Sequence, residues 1–354
     1  MKVLFVNYAM NIGGIESFLL NITRELRSHN IDVDFLCYHE EEFALEKELT
    51  NLGCHFHRLS DPDHTSILKH IKQLKTFFKN NKYDVVHANT YTDSGAVLYA
   101  AYLSGISVRV AHSHTSQKPK SFKQKMKWFI AKILIKIFAN RKIACSKIAG
   151  KSLFIGNKYT ILENGVDLSK YIYNKNLRCN IRNKYNIKED EIVIGHVGRF
   201  AKVKNHKYII DLFSKLDDNY RLLLVGDGPE FNSIKELVSN YELDSKVIFT
   251  GSVFNAYEYF NAMDLILFPS FYEGLPVSLV EAQMNGLQII ASDTVSNEIN
   301  LFGNVKFFNL NDDVNNVIKL VKEINSRNSN LEYFEKSNYN IKNTYEKLIE
   351  IYKK

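Results

Sequence analysis

The chain has 354 residues, 45% of them apolar, with 46 Lys or Arg against 39 Asp or Glu and a net charge of +7. That length fits two domains of ordinary size, each with its own core. No apolar run approaches the roughly 20 residues that span a bilayer, and Cys37, Cys54, Cys145 and Cys179 are too widely spaced for a CxxC metal or redox pair or a disulfide framework, which excludes an integral membrane protein and a disulfide-stapled one. The opening run MKVLFVNYAM lacks the long apolar region and cleavage site of a secretory signal, so a cytoplasmic location is expected.

In chain order, apolar β-rich runs alternate with amphipathic stretches, the pattern of parallel sheets flanked by helices. The first series is VLFVNY (3–8), VDFLCY (33–38), DVVHA (84–88), VRVAHS (108–113) and KIACS (142–146). A second follows with EIVIGHVG (191–198), RLLLVG (221–226), KVIFTG (246–251), DLILFPS (264–270) and QIIAS (288–292). Each series opens with a strand that runs into a glycine-bearing turn, so the fold class is α/β with two Rossmann-like domains in tandem and a cleft between them. Residues 165–190 are polar, basic and poor in periodic apolar residues, which puts the division there. The first domain is taken as 1–170 and the second as 171–339. The tail 340–354 carries Tyr345, Leu348, Ile349 and Tyr352 at helical spacing, and is a candidate to lie across the junction or pack back on the first domain.

Charge is unevenly spread. From Ser94 to Leu162 there is no Asp or Glu, while 13 Lys or Arg fall in the same stretch, which suits an anionic partner. Within it, residues 121–142 place Phe122, Met126, Phe129, Ile130, Ile133, Ile137 and Phe138 at helical spacing, with Lys123, Lys125, Lys127, Lys132 and Lys136 between them. Such a cationic amphipathic helix can lie on anionic lipid with Trp128 near the headgroups, or pack its apolar stripe on the sheet with its lysines solvated. Both readings stand at this point.

Ligands of open α/β sheets bind beyond the carboxyl ends of the strands, and three turns there carry suggestive chemistry. NIGGIE (11–16) brings Gly13 and Gly14 after the first strand, without the full dinucleotide fingerprint. GHVGRFAKVKNH (195–206) brings Arg199 and Lys204 before a helix that Asn205 can cap. A planar guanidinium fork and a movable ammonium beside a helix N-terminus make a diphosphate cradle. PSFYEGLPVSLVEAQMNG (269–286) puts Glu273 in a turn beside Gly274, then Pro276 at the first helical position, Glu281 inside the helix and Gly286 at its end. Singly, each acid reads as an ordinary turn or helix residue. Together with the cationic turn they read as a nucleotide-sugar site, because carboxylates grip sugar hydroxyls with paired hydrogen bonds. His112 and His114 sit at i, i+2 near a strand end and project to the same side of it; with His87 they could suggest a metal, but no carboxylate lies in the surrounding acid-free segment and no zinc spacing is present, so hydrogen bonding to a polar ligand is the preferred role.

GGIE (13–16), SHT (113–115), ENGVD (163–167), GRFAKVKN (198–205), LLLVGDGPE (222–230) and the E-x7-E pair Glu273 and Glu281 together resemble the retaining nucleotide-sugar glycosyltransferases of family 4, which have the GT-B fold of two Rossmann-like doubly wound domains facing across a cleft. The resemblance implies an acceptor-binding first domain and a donor-binding second one. By position, Arg199 and Lys204 would hold the donor diphosphate and Glu281 the ribose. Glu273 and the backbone of Gly274 and Leu275 would grip the sugar, His114 would reach its 6-hydroxyl, and Gly13 and Gly14 would let the loop close over the phosphates. It further implies hexosyl transfer with retention, without metal or other cofactor, from a nucleotide-sugar, taken as a UDP-sugar, to a glycan acceptor, with the leaving diphosphate taking the acceptor's proton. VRVAHSHTSQ and the basic first domain look most like bacterial enzymes of capsular or exopolysaccharide synthesis acting on polyprenyl-linked acceptors at the inner face of the membrane, where helix 121–142 would dock. The alternatives are a nucleotide-sugar epimerase of the same architecture and a non-enzymatic binder of anionic membrane or nucleic acid. The site constellation favours the transferase and no nucleic-acid partner.

Overall fold

In the computed structural model, which describes residues 1–354 except 40, 116, 117, 118, 120, 274 and 325, thirteen strands fall into two sheets. The first holds β1 (Lys2–Val6), β2 (Asp32–Cys37), β3 (His55–Arg58), β4 (Val85–Ala88), β5 (Val108–Ser113), β6 (Arg141–Ala144) and β7 (Thr160–Ile161). Their spatial order is β3-β2-β1-β4-β5-β6-β7. The second holds β8 (Ile192–Val197), β9 (Tyr220–Val225), β10 (Val247–Phe249), β11 (Leu265–Phe268), β12 (Gln288–Ser292) and β13 (Val305–Phe308) in the order β10-β9-β8-β11-β12-β13. All neighbouring strands run parallel. Helices cover both faces of such sheets, so interior strands are near-continuous apolar runs; KVLFV of β1 and QIIAS of β12 are almost wholly buried. The apolar runs of the sequence locate every interior strand, while β3, β7 and β13 are absent from that reading. All three are short edge strands with half-exposed residues.

The chain parts into two compact units, Met1–Val166 with Ser337–Lys354, and Asp167–Lys336. The helix Ile341–Lys353 belongs to the first. Its Ile341, Leu348, Ile351 and Tyr352 are buried in the same cluster as Val3, Phe5 and Phe35, Tyr345 stacks on His29 at 4.3 Å, and Arg141 Nε donates to Ile351 O at 2.8 Å. Where the chain leaves and re-enters the unit, Val166 N donates to Tyr339 O at 2.8 Å and Ile341 N donates to Val166 O at 3.1 Å.

The basic segment forms the helix Phe122–Phe138, opened by a capping box between Ser121 and Gln124. Its buried residues are Ala131 and Ile135, whereas Phe122, Met126, Phe129, Ile130, Ile133 and Ile137 are 38–79% exposed. Of the apolar stripe only Phe138 packs inward among the described residues, against Tyr99 and Tyr102; the rest does not pack on the sheet. Trp128 does not reach outward with it: its Nε1 donates to Ser152 O at 3.0 Å, and Lys132 Nζ lies 4.1 Å over its ring. Among the described residues no helix is long and apolar enough to cross a membrane.

Candidate functional site

Each sheet reverses its strand order once, between β1 and β4 and between β8 and β11, and the carboxyl ends at such a reversal are where an open α/β sheet offers a crevice. In the second unit those ends carry Arg199 and Lys204 after β8, and Glu273 after β11. The turns are stitched into one platform. Phe271 N donates to Val203 O at 2.8 Å, and Asn205 Nδ2 donates to Pro269 O at 3.1 Å. Asn205 thus does not cap the helix His206–Phe213 as its sequence position suggests; it takes a left-handed conformation with no side-chain cap and spends its amide tying the two turns together. The turn after β9 supports the platform from the other side, through Gly198 N to Val225 O at 3.0 Å and Phe200 N to Asp227 O at 2.9 Å. That approach requires Gly226: at φ +139, a Cβ there would collide with the carbonyl oxygen of Gly198.

On this platform Lys204 Nζ sits 2.8 Å from Glu273 Oε1, both half-buried, and 4.6 Å above the ring of Phe268. Arg199 is exposed and has no ion-pair partner among the described residues. Beneath them, His196 stacks on Phe268 at 5.2 Å and His206 on Phe200 at 4.0 Å. Burial pushes their pKa values down to about 3 and about 2, so the floor of the platform is neutral. Leu275 is half-buried; Gly274 lies outside the described residues. Pro276 is the residue preceding the helix Val277–Met284, and Asn285 closes it, with Gly286 following at φ +81.

Glu281, in that helix, is only 9% exposed. Burial raises its pKa to about 7 against a partial offset from the one hydrogen bond it accepts among the described residues, from the Tyr171 hydroxyl at 2.8 Å. The sequence reading misses Tyr171. Its one signal is a place in the short run LSKYIY (168–173) that follows ENGVD.

In the first unit Gly13 and Gly14 open the helix Gly14–Ser28 directly after β1, without a side-chain cap, and an added Cβ at Gly14 would meet nothing within 4 Å. His114 follows β5, its Nε2 hydrogen-bonded to Asn89 Oδ1 at 2.9 Å beyond the end of β4. Its ring lies 3.8 Å from that of His112. His112 Nδ1 joins His87 Nε2 at 3.0 Å, and His87 Nδ1 joins the Tyr352 hydroxyl of the C-terminal helix at 2.7 Å. Burial depresses all three imidazoles, His87 and His114 to about 3 and His112 well below the usual range, so they act as neutral hydrogen-bonding rings at ordinary pH. The described residues hold no group of three or more His, Cys, Asp or Glu arranged for a metal.

The family models "Glycosyltransferase Family 4" and "Glycosyl transferases group 1" match residues 12–170 and 178–346. A putative glycosyltransferase of Bacillus subtilis, EpsF, is 32% identical over 309 residues, which are 84% of this chain and 80% of its own. The chain belongs to glycosyltransferase family 4. This family-4 enzyme is also 27% identical to the capsular polysaccharide biosynthesis glycosyltransferase CapH of Staphylococcus aureus, covering 99% and 98% of the two chains. To the UDP-Gal:alpha-D-GlcNAc-diphosphoundecaprenol alpha-1,3-galactosyltransferase of Escherichia coli it is 26% identical, over 84% and 80%. The crystal structure of Anabaena Alr3699/HepE in complex with UDP superposes with a TM-score of 0.81 at 20% identity over 99% of both chains. The family-4 glycosyltransferase therefore has the GT-B architecture of two parallel-sheet α/β domains, and membership removes the epimerase and binding-protein alternatives.

Proposed function

We propose that the protein transfers a hexosyl group from a UDP-sugar, with retention at the anomeric carbon and without metal, to a hydroxyl of a polyprenyl-linked glycan in bacterial surface-polysaccharide synthesis. The observation that carries this reading is the pairing of Lys204 with Glu273 at 2.8 Å, on one platform with Arg199 and in one unit with the buried Glu281. Without ligand, the ammonium and the carboxylate neutralise each other. A donor's diphosphate draws Lys204 toward itself and frees Glu273 to accept hydrogen bonds from the sugar. Arg199 and Lys204 then stand where negative charge grows as the glycosidic bond to the diphosphate breaks, and fixed cations there lower the barrier. The departing phosphate oxygen takes the acceptor's proton, so no protein carboxylate need attack the sugar. Glu281 accepts from the ribose. In the other unit, His114 and the glycines of the Gly13–Gly14 turn serve the sugar and phosphates. The UDP in the HepE complex and the UDP-Gal and diphosphoundecaprenol in the name of the Escherichia coli relative favour this donor and acceptor class.

We place the protein peripherally at the inner face of the membrane, with the helix Phe122–Phe138 as its contact. Exposed Lys123, Lys125 and Lys136 flank its open apolar residues, which matches an anionic lipid surface. The deciding experiment titrates the full-length protein with UDP, GDP and ADP in EDTA, and identifies by NMR the anomer formed from a UDP-sugar and an undecaprenyl-diphosphate-linked acceptor. Preference for UDP and an α-linked product from an α-linked donor are expected. Equal binding of the three nucleotides, or an inverted product, would overturn the assignment.

A further inference from the structure

A buried carboxylate without a cation needs hydrogen-bond donors, and Glu281 has one among the described residues, Tyr171. That tyrosine is itself firmly seated. It closes the short helix Leu168–Tyr171, capped by Asp167, whose carboxylate accepts from Ser169 N. Its carbonyl accepts from Asn285 Nδ2 at 2.9 Å. Its ring sits edge-on to Tyr257 at 6.3 Å and against Phe260 at 6.0 Å. Asn285, fully buried, is in turn held by Asn261 at 3.2 Å and by the Arg327 guanidinium. The hydroxyl therefore reaches Glu281 from a rigid mount.

A carboxyl's terminal torsion is broad and two-fold, so an unanchored Glu side chain would present its oxygens in many orientations. A donor fixed on Oε1 removes that freedom and leaves Oε2 to face a ligand. Hydrogen bonds to an ionised acceptor are also about twice as strong as neutral ones, so the Tyr171 hydroxyl favours the charged, accepting form against the opposing effect of burial. We infer that Tyr171 is a positioning residue for the donor nucleotide, fixing the Glu281 carboxylate so that its free oxygen meets the ribose hydroxyls. The inference rests on the proposed role of Glu281 and adds to it a residue that touches no substrate.

The test compares binding of UDP and 2′,3′-dideoxy-UDP, which lacks the hydroxyls, to the wild-type protein and to Tyr171→Phe, Glu281→Ala and the double variant. Wild type is expected to prefer UDP. Tyr171→Phe keeps the ring packing, and is expected to bind UDP about tenfold more weakly, a change of about 1.4 kcal/mol, while binding the dideoxy nucleotide within about twofold of wild type. Because Tyr171 acts through Glu281, the double variant should bind UDP no more weakly than Glu281→Ala alone. A Tyr171→Phe protein that retains the wild-type preference for UDP, or binds UDP more tightly because the phenol merely blocked the carboxylate, would overturn the inference and leave the donor site standing. Independent losses that add in the double variant would overturn it too. Absence of any preference in the wild type would instead defeat the ribose assignment of Glu281, and this inference with it.

Discussion

Replacing Glu281 by Gln should make the protein more stable at alkaline pH while weakening its grip on the donor. The carboxyl titrates at 4.5 ordinarily and near about 7 in the fold, because burial opposes its charge and the Tyr171 hydrogen bond only partly compensates. For a raised pKa, the stabilising contribution is complete below the unfolded value and disappears as the pH climbs through the folded one. At about 1.4 kcal/mol per pH unit, the full loss is about 3 kcal/mol, of which about 2.5 falls between pH 5 and pH 8. The amide has no charge to lose and can still accept from Tyr171. Urea unfolding of wild type and variant in parallel, at several pH values across that interval, isolates the effect, since every other titrating group cancels in the difference. The expected curve shows the variant gaining on the wild type as the pH rises. A difference that is flat with pH would refute the claim that Glu281 is buried with a perturbed carboxyl. The same variant should bind UDP less tightly at pH 8, so that a group costly to folding is retained for its use with the ligand.

Two further outcomes are expected. Full-length protein should co-sediment with anionic vesicles and not with neutral ones, and changing Lys123, Lys125 and Lys136 to Glu should lower the bound fraction about tenfold or more, given roughly 1 kcal/mol for each basic residue at such a surface; unchanged sedimentation would rule out the helix Phe122–Phe138 as the contact. Gly226→Ala should destabilise the second unit by about 2 kcal/mol or more, since the added methyl meets backbone rather than a movable side chain and the residue keeps a positive φ. Thermal unfolding reads the first loss, and nucleotide binding should fall with it as the Gly198–Lys204 turn is displaced.

The interior strands were legible because a sheet covered on both faces needs unbroken apolar runs, and the same requirement lapses at the edges, where β3, β7 and β13 escape notice. Lys204 and Glu273 lie far apart in sequence, yet their meeting follows from β8 and β11 being neighbours, which places the turns after them side by side. The pattern of the helix Phe122–Phe138 leaves two orientations open, and the fold decides between them by burying Ala131 and Ile135 while most of the apolar stripe stays exposed. A Cβ added at Gly95 would stand 3.1 Å from Leu134 Cβ and 3.2 Å from Ala131 Cα, so the neighbouring helix meets the side that carries Ala131 and Leu134, away from the exposed stripe. Asn205 was misjudged because a cap preference is local, whereas the turn it joins is held by a partner strand. The contacts of Tyr171 with Glu281 and of Tyr352 with His87 are not legible in the sequence, since each spans 110 or more residues.

Because the first unit is completed by the last helix of the chain, the order in which the polypeptide emerges from the ribosome differs from the order in which its parts can be finished. Residues 167–336 form a continuous unit and can close while the tail is still being made. The first unit must wait, its sheet formed but lacking Ile341, Leu348, Ile351 and Tyr352, with apolar surface exposed until that helix has emerged. Its nascent form is thus the stage at which a chaperone has most to shield. A chain cut before Ile341 would strand that unit while leaving residues 167–336 intact.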